Sequence, residues 1–382
     1  MKKHFLLTRN TDNIQSARKP NKPITAHQNH SLVYVASKHC HNTTLLSDDQ
    51  RYNSLMRQGM KVIYQAFAYK HKPHYLIGMF LGHCPHQNCV LQQCDSFDYI
   101  ERANLVLFLQ ENTLILPRIA EEARSKQTWV LGTIESPVWP WTLVNEKLDY
   151  YMDATATYRQ DSDILWQYGL TQTRVEEGEI NKELINSKTK GAFAYVSNCR
   201  SKGYDRLGLM KELSKYVDVE IQGSCGHKPK CEPDDESCEH AEISPYHFYL
   251  SFENSLCTQY ITEKFYNALN RSYLTVPVVV GGVSIKEYTA LAPPNSFIHL
   301  YNFSSVQALG LYLKYLMENR EEYMKYHAWR SDYIVRVYPS EDMACRMCEL
   351  ANLDYSYAGN YKGRVSKVFN HKNSCKKLRL PY

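Results

Sequence analysis

The chain has 382 residues, of which 43% are hydrophobic and 22% are charged, so it has enough apolar content to build the cores of two ordinary domains. The formal net charge is only +5, and the lysines and arginines are spread along the chain instead of forming one stripe. This composition predicts a globular protein and gives no support to nucleic-acid binding.

The first part of the chain divides into an irregular lead-in and an α/β segment. Residues 1–55 are polar and lack sustained periodicity, which predicts a poorly ordered lead-in. In residues 56–171, the apolar runs at 104–110 and 128–132 are typical of buried parallel strands. Residues 111–127 supply a crossover between these strands, so we expect an N-terminal α/β lobe.

A charged connector leads into a second α/β series. Residues 172–190 are charged and carry few large apolar groups, which predicts a linker. In residues 191–350, predicted strands alternate with predicted helices, a pattern that favours a parallel, doubly wound sheet. The predicted strands are 192–197, 218–221, 248–252 and 276–281, and the predicted helices are 206–216, 261–269 and 305–318. Residues 351–382 are predicted to form a basic, solvated tail. Two such sheets in tandem predict two lobes with a ligand cleft between them.

The 12 cysteines indicate either metal chemistry or disulfides, depending on the compartment. A structural zinc site needs two closely spaced ligand pairs, and the C-x-x-C at residues 345–348 has no second pair nearby. We therefore expect disulfides, with no metal site. The candidate disulfide cysteines are Cys84, Cys89, Cys225, Cys231, Cys238, Cys345 and Cys348.

Asn-x-Ser/Thr triplets at four positions fit a lumenal or extracellular protein. The candidate glycosylation sites are Asn29, Asn42, Asn270 and Asn302. The N-terminal apolar stretch has three residues, too short for a signal peptide or a membrane anchor. We therefore expect a truncated form, an incomplete gene model or a different compartment.

The most informative stretch runs from residue 248 to residue 282. A hydrophobic strand delivers Glu253 and Asn254 to its carboxyl end, and Glu263 and Lys264 open a helix after a short loop. Free N–H groups and the helix dipole make such a helix start suited to an anion such as a diphosphate. Lys264 would add a positive charge, while the two glutamates would accept hydrogen bonds from sugar hydroxyls. The alternative is that Glu263 only caps the helix and Lys264 is solvated.

This stretch resembles the signature block of the α1,3-fucosyltransferase family. The matching segments are F-E-N-S at 252–255, Y-I-T-E-K at 260–264, N-A at 267–268 and V-P-V-V at 276–279. Gln259 departs from the family pattern, which usually has an acid there. Further matches are E-S-P at 135–137, Y-R-Q-D-S-D at 158–163, and S-N-C at 197–199 followed by Arg206. The resemblance covers residues 60–350 and is closest to invertebrate glycoprotein 3-α-L-fucosyltransferases.

The resemblance implies a GT-B fold, in which two Rossmann-like lobes face a cleft, and an inverting transfer of L-fucose from GDP-β-L-fucose to a GlcNAc hydroxyl. It places the catalytic base at Glu135, which would otherwise be interpreted as a solvated acid at a strand end. The donor-binding residues that it implies are Glu253, Asn254, Tyr260, Glu263, Lys264 and Arg206. Arg200 and Lys202 are alternatives to Arg206, and a core role is an alternative for Tyr260.

Cofactor, partners and compartment also follow from the resemblance. GDP-fucose is the donor, no cofactor is required, and Mn2+ or Mg2+ would be stimulatory only. Asp161 and Asp163 form a D-x-D, which holds metal in other glycosyltransferases, but here it is expected to organise the structure between the lobes. The expected acceptor is a glycoprotein N-glycan in the Golgi lumen, reached by a type II membrane protein whose anchor is not in this chain. The competing hypotheses are a glycan-binding pseudoenzyme and a GT-B transferase that uses another sugar nucleotide.

Overall fold

The computed structural model describes residues 35–36, 49–66, 84–94, 97, 99–109, 116–139, 151–232, 235–338, 340–353, 365 and 374–378. The strands are β1 Val35–Ala36, β2 Lys61–Ala66, β3 Cys89–Cys94, β4 Leu105–Leu109, β5 Thr128–Thr133, β6 Ala154–Thr157, β7 Ile164–Leu165, β8 Gly169–Thr173, β9 Lys190–Tyr195, β10 Val219–Gln222, β11 Tyr246–Phe252, β12 Val276–Val280, β13 Ile298–His299 and β14 Tyr333–Val337. The helices are α1 Asp49–Arg57, α2 Glu121–Arg124, α3 Lys182–Asn186, α4 Arg206–Leu213, α5 Glu236–Ile243, α6 Glu263–Asn270, α7 Ile285–Leu291, α8 Val306–Glu318, α9 Arg320–Met324 and α10 Ser340–Asn352.

The first lobe is built on a parallel sheet that is covered on both faces. Its seven described strands lie in the order β1-β3-β2-β4-β5-β6-β7. Alternate residues of β4 enter different apolar clusters: Leu105 and Leu107 enter one, and Val106 and Phe108 enter the other. Because both faces are buried, the strand sequence is continuously apolar, and this run allowed β4 to be predicted.

The second lobe is a parallel sheet of five described strands in the order β10-β9-β11-β12-β13. Helices α4 and α8 pack against its core, where Leu209 and Leu313 are buried with Phe248 and Val278. Strands β8 and β14 form a separate antiparallel pair. The predicted α/β class with two parallel sheets is therefore confirmed.

A shared apolar cluster joins the two lobes. It contains Leu107 and Val130 from the first sheet together with Tyr260 and Phe265 from the second lobe. The packed contact fixes the carboxyl end of β5 against the loop that enters α6.

Four segments differ from the sequence expectation, and one of them is the predicted linker 172–190, which contains helix α3 and the buried Ile185. Most of the predicted lead-in lies outside the described residues, but β1 pairs with β3, and α1 packs Tyr52 and Met56 on the first core. Residues up to 350 are predicted to belong to the second lobe, yet helix α10 packs on the first sheet through Met343 and Met347. The predicted solvated tail includes Ser374, which is 5% exposed. These segments gain order from contacts with residues far away in the sequence, which local composition does not indicate.

The predicted disulfides are present among the described residues, together with three cysteines that were not among the candidates. The pairs are Cys84–Cys345, Cys89–Cys348, Cys199–Cys225, Cys231–Cys238 and Cys257–Cys375. Cys199, Cys257 and Cys375 were missed because each is isolated in the sequence and finds its partner only through the fold. Two of the bridges attach α10 to the first lobe.

Two of the four candidate glycosylation sites can be placed. Asn302 is exposed at the end of a short 3-10 helix that follows β13. Asn270 ends α6, and its side-chain nitrogen donates a 2.5 Å hydrogen bond to the Val335 carbonyl. Asn29 and Asn42 lie outside the described residues.

Within the described ranges, none of the helices combines the length and the apolar character that a membrane span requires.

Candidate active site

The carboxyl ends of several parallel strands bring side chains from both lobes around one pocket. Its volume is about 370 Å³. The first lobe contributes Glu135, from the turn after β5, and Trp139. The second lobe contributes the loop after β9, the end of β11 and the start of α6; its lining residues are Tyr195, Val196, Ser197, Asn198, Arg206, Tyr249, Asn254, Glu263, Lys264 and Asn267. A pocket at this edge is the usual ligand position in open α/β sheets.

Glu135 is held at the edge of this pocket by its own turn and by the other lobe. Its backbone N–H donates to Thr133 Oγ1 at 3.2 Å, and its Oε2 accepts a 2.9 Å hydrogen bond from the Tyr260 hydroxyl. Burial raises the pKa of Glu135, while the Tyr260 hydrogen bond and the Lys264 charge oppose that rise. The result is a carboxylate at the pocket wall whose basicity exceeds that of an exposed glutamate.

The start of α6 is organised around Glu253. This side chain is fully buried and accepts hydrogen bonds from the backbone N–H of Thr262 at 2.7 Å and from its hydroxyl at 2.8 Å. Burial raises the pKa of Glu253 to about 7, although Lys264 acts in the opposite direction. A contact with donor hydroxyls is predicted for Glu253, but in the structure its carboxylate is buried and fixes the start of α6 through Thr262.

Lys264 places a positive charge in the first turn of α6. Its Nζ donates to Glu263 Oε1 at 2.6 Å and to Thr262 Oγ1 at 3.1 Å, and it lies 3.8 Å from Glu253 Oε2. Glu263 and Lys264 both line the pocket. An ammonium has three N–H donors, so one more donor can serve a ligand oxygen.

Arg206 lies in the pocket wall but is 2% exposed. Its two terminal nitrogens donate to the backbone carbonyls of Phe252, at 3.2 Å, and Asn198. Its Nε is buried without a hydrogen-bond partner among the described residues. In this state the guanidinium ties two strand-end loops together through two of its five N–H donors.

The two alternative cations are exposed at the same rim. The Lys202 ammonium lies 5.7 Å from the centre of the Trp139 ring, and its backbone N–H donates to the Asn254 carbonyl. Arg200 is exposed, and its backbone N–H donates to the Asn198 side chain. Asn254 itself lines the pocket.

Tyr260 lies behind the pocket and does not form part of its wall. The side chain is 1% exposed, and its ring packs edge-on against Tyr158 and Tyr168, with centroid distances of 5.1 and 6.3 Å. The structure therefore brings Tyr260 to Glu135, whereas the resemblance gives it a contact with the donor.

The D-S-D element lies in the first lobe, and the residue before it contacts the second lobe. Asp161 pairs with Arg159, and Asp163 accepts hydrogen bonds from the backbone and hydroxyl of Thr155. The neighbouring Gln160 N–H donates to Gln259 of the second lobe at 2.8 Å. Both carboxylates therefore have structural partners.

Sequence reasoning missed part of the pocket wall and one contact between the lobes. Asn267 lies one helical turn after Glu263, so helical periodicity could have placed it on the same face. Trp139 follows Glu135 by four residues in the same turn region. The 2.6 Å hydrogen bond between the hydroxyls of Ser255 and Ser136 joins two recognised motifs across 119 positions, and no local signal indicates it.

Known relatives match this chain over both lobes. It is 36% identical over 273 residues to glycoprotein 3-alpha-L-fucosyltransferase A of Drosophila melanogaster, covering 69% of this chain and 51% of the relative. It is 31% identical over 272 residues to alpha-(1,3)-fucosyltransferase C of the same organism, covering 66% of this chain and 62% of the relative. The matches therefore span only about half to three fifths of the length of these relatives.

Solved structures show the same fold. A crystal structure of an α1,3-fucosyltransferase with GDP matches with a TM-score of 0.52 at 15% identity, covering 78% of this chain and 93% of the other. A second α1,3-fucosyltransferase crystal structure gives a TM-score of 0.51 at 16% identity, covering 78% and 92%. The likeness at this identity shows the fold, which is the two-lobed GT-B type.

Two family models match the chain, one on each lobe. The model for the fucosyltransferase N-terminal region matches residues 58–169. The model for the C-terminal region of glycosyltransferase family 10 matches residues 185–362. With both halves matched in the expected order, this chain belongs to glycosyltransferase family 10, the fucosyltransferase family.

Proposed function

We propose that the chain is an inverting α1,3-fucosyltransferase, which moves L-fucose from GDP-β-L-fucose to a GlcNAc hydroxyl of a glycoprotein glycan. The observation that carries the proposal is that a first-lobe acid, Glu135, and a second-lobe cation, Lys264, line the same pocket at the start of α6. Family membership and the relatives named as α1,3-fucosyltransferases support the donor and the linkage.

Glu135 serves as the general base of this reaction. A sugar hydroxyl holds its proton too tightly to attack unaided, so a base must remove the proton as the new bond forms. A carboxylate whose pKa is raised by burial is a stronger base than an exposed one and is still ionised above its own pKa. Attack on the face opposite the leaving GDP then converts the β-linked donor into an α-fucoside in one displacement.

The start of α6 and Lys264 stabilise the leaving group. Negative charge gathers on GDP as the fucosyl carbon takes on oxocarbenium character, and fixed positive groups near the diphosphate lower that barrier. The positive end of the α6 dipole supplies part of this field, and the Lys264 ammonium supplies a full charge. Arg206, or Arg200 and Lys202 on the rim, would complete the set of cations.

The compartment is proposed to be the Golgi lumen. Five disulfides are formed by described residues, and such bridges persist in an oxidising compartment. Asn302 is exposed, so we expect its sequon to be occupied, whereas the amide of Asn270 is engaged with Val335. Glycopeptide mapping of the secreted protein checks this, and an unglycosylated Asn302 would count against a secretory route.

The proposal is tested by incubating the protein with radiolabelled GDP-fucose and a panel of N-glycans that carry core or antennal GlcNAc. We expect fucose transfer, and NMR of the product should show an α1,3 linkage. Parallel reactions use other GDP- and UDP-sugars. Binding of GDP-fucose without transfer would favour a glycan-binding pseudoenzyme, and turnover of a different donor would favour another sugar-nucleotide transferase.

A further inference from the structure

Two hydrogen bonds dock the turn that carries Glu135 onto the second lobe. Ser255 donates to Ser136 at 2.6 Å, and both side chains are fully buried. Tyr260 donates to Glu135 Oε2 at 2.9 Å. The position of the Glu135 carboxylate is therefore set by residues of the lobe that it faces, in addition to its own β5 turn.

The Tyr260 hydroxyl is committed to this contact. Its side chain is almost completely buried, and its ring packs against Tyr158 and Tyr168. Burial raises the pKa of Tyr260 well above 10, so the hydroxyl keeps its proton and remains a donor. Tyr168 supports the same turn by donating to the Ile134 carbonyl at 2.6 Å.

We propose that Tyr260 is a positioning residue for the catalytic base, holding one oxygen of Glu135 so that the other faces the acceptor hydroxyl. This inference rests on the function proposed above. A tyrosine hydroxyl that donates to one carboxylate oxygen fixes the rotation of the carboxyl group, and it stabilises the ionised form. Tyr260 thereby gives the base a defined direction and limits the effect of burial on its proton affinity.

Several charged and titratable groups surround the Glu135 carboxylate, and they come from several elements that pack against it. Lys264, from α6, favours the ionised form, and Glu263, also from α6, disfavours it. Tyr158 and Tyr168, from the segments after β6 and β7, are both buried and interact electrostatically with Glu135. Among these groups, Tyr260 has the direct hydrogen bond to Glu135 in the described structure.

The test is Tyr260→Phe, which removes the hydroxyl and keeps the ring. We expect kcat to fall about 10- to 100-fold, the loss associated with a hydrogen bond to a charged group. The Kd for GDP and the KM for GDP-fucose should stay within about 2-fold of wild type, because Tyr260 is not in the pocket wall. The acidic limb of the kcat–pH profile should move to higher pH, since the ionised base loses a stabilising donor.

Two further variants complete the design. Tyr266→Phe alters an equally buried tyrosine of α6 that is not placed at the site, and it should leave kcat and the pH profile unchanged. Ser255→Ala removes the other link to the turn and keeps the Tyr260 hydroxyl, so kcat should fall with a smaller shift of the acidic limb than in Tyr260→Phe. The Ser255 hydroxyl bonds to the Ser136 hydroxyl, and the Ser136 backbone interacts with the Glu135 carboxylate. This variant also keeps the inference testable if Tyr260→Phe does not fold.

A measurement that does not depend on fucose transfer separates this inference from the proposed function. Infrared titration of the Glu135 carboxyl, identified by its loss in Glu135→Gln, should give a higher pKa in Tyr260→Phe than in wild type. An unchanged pKa, or a loss of GDP affinity that accounts for the whole loss of activity, would overturn the positioning role. Absence of fucose transfer by the wild type, together with the expected infrared shift, would reject the proposed function and leave the contact intact.

Discussion

Lys264 holds its position through its neighbours at the helix start. Glu263 and Thr262 accept hydrogen bonds from its ammonium, and Glu253 lies just beyond hydrogen-bond distance. Burial lowers the pKa of Lys264, but the negative charges of Glu263 and Glu253 together raise it more. The net pKa is therefore raised, and the ammonium stays charged. An anionic diphosphate at this place would meet a cation that is already oriented, which is the arrangement that reduces reorganisation during catalysis.

Replacement of this cation should weaken both donor binding and turnover. We expect Lys264→Met to lower kcat/KM for GDP-fucose about 10²- to 10³-fold, as with the loss of other charge-stabilising donors. Lys211→Met changes an exposed lysine of α4 outside the pocket and should leave kcat/KM unchanged. Steady-state kinetics with calorimetric GDP binding measures both, and near-wild-type kinetics in Lys264→Met would remove Lys264 from the donor site.

Glu253 should make the stability of the fold depend on pH. Burial raises its folded pKa to about 7, whereas an unfolded glutamate titrates near 4.3. The folded state therefore binds the proton more tightly, so the stability from this group is full below about pH 4.3 and is lost as pH rises through 7.

The variant Glu253→Gln removes this titration while keeping the shape of the side chain. Between pH 4.5 and 8, the free energy of unfolding of the wild type should fall relative to the variant by about 3 kcal/mol. Urea unfolding at a series of pH values measures this difference, with Glu318→Gln on the exposed end of α8 as the matched control. Parallel curves for wild type and Glu253→Gln would show that Glu253 titrates normally in the fold.

The residue types of the site could be read from the sequence, but some of their roles could not. In the sequence, a strand is followed by Glu253 and Asn254, then by a loop, and then by Glu263 and Lys264. This order is typical of a strand that leads through a loop into a helix, so it identified the start of α6. Arg206 and Tyr260 were assigned to the donor by their motif positions, and the structure shows both buried and bonded to the protein. Direction and burial of a side chain depend on packing partners from distant segments.

Residues 374–378 of the C-terminal tail bind the loop that leads into α6, and we call this segment the clamp. The Ser374 carbonyl accepts a hydrogen bond from the Thr258 N–H at 2.6 Å. The Lys376 N–H donates to the Leu256 carbonyl at 2.8 Å. The Cys257–Cys375 bridge lies between these bonds. Leu378 N–H donates to the carbonyl of Gly203, whose backbone is in the left-handed region with φ of 92°. The clamp therefore fixes the loop that contains Tyr260.

Loss of the clamp should destabilise the protein and loosen the site. The bridge closes a separation of 118 residues, so we expect the double variant Cys257→Ser/Cys375→Ser to lose about 2 to 4 kcal/mol of unfolding free energy and to bind GDP more weakly. The control is Cys231→Ser/Cys238→Ser, which opens a separation of 7 residues outside the pocket and should cost less. Equal losses for the two pairs, with unchanged GDP affinity, would contradict the clamp.

Strands with long apolar runs could be predicted, and elements defined by distant partners could not. Predicted strands at 104–110 and 276–281 correspond to β4 and β12. The two-residue strands β7 and β13 have no run long enough to detect, and they exist because a neighbouring strand offers them a pairing edge. Helix α10 is anchored to the first lobe by Cys345 and Cys348, a placement that follows from bridges with separations of 261 and 259 residues.

The pocket is formed where the two lobes meet. Glu135 and Trp139 come from one lobe, and the remaining lining residues come from the other. The shared apolar cluster, the Ser136–Ser255 bond and the Glu135–Tyr260 bond hold that junction together. Under the proposed function, a base and a leaving-group cation on separate lobes can face opposite sides of the same sugar carbon, which is the geometry that inversion requires.

The most direct test compares radiolabelled GDP-fucose transfer to the glycan panel by wild type and by Glu135→Gln, with GDP affinity measured on both proteins. The substitution nearly preserves shape and removes the proton acceptor. We predict that turnover falls by about 10² to 10⁴-fold, the usual contribution of a general base, while the Kd for GDP is unchanged. Turnover retained at the wild-type rate would contradict the assignment of Glu135 as the base and the account of a site shared by the two lobes.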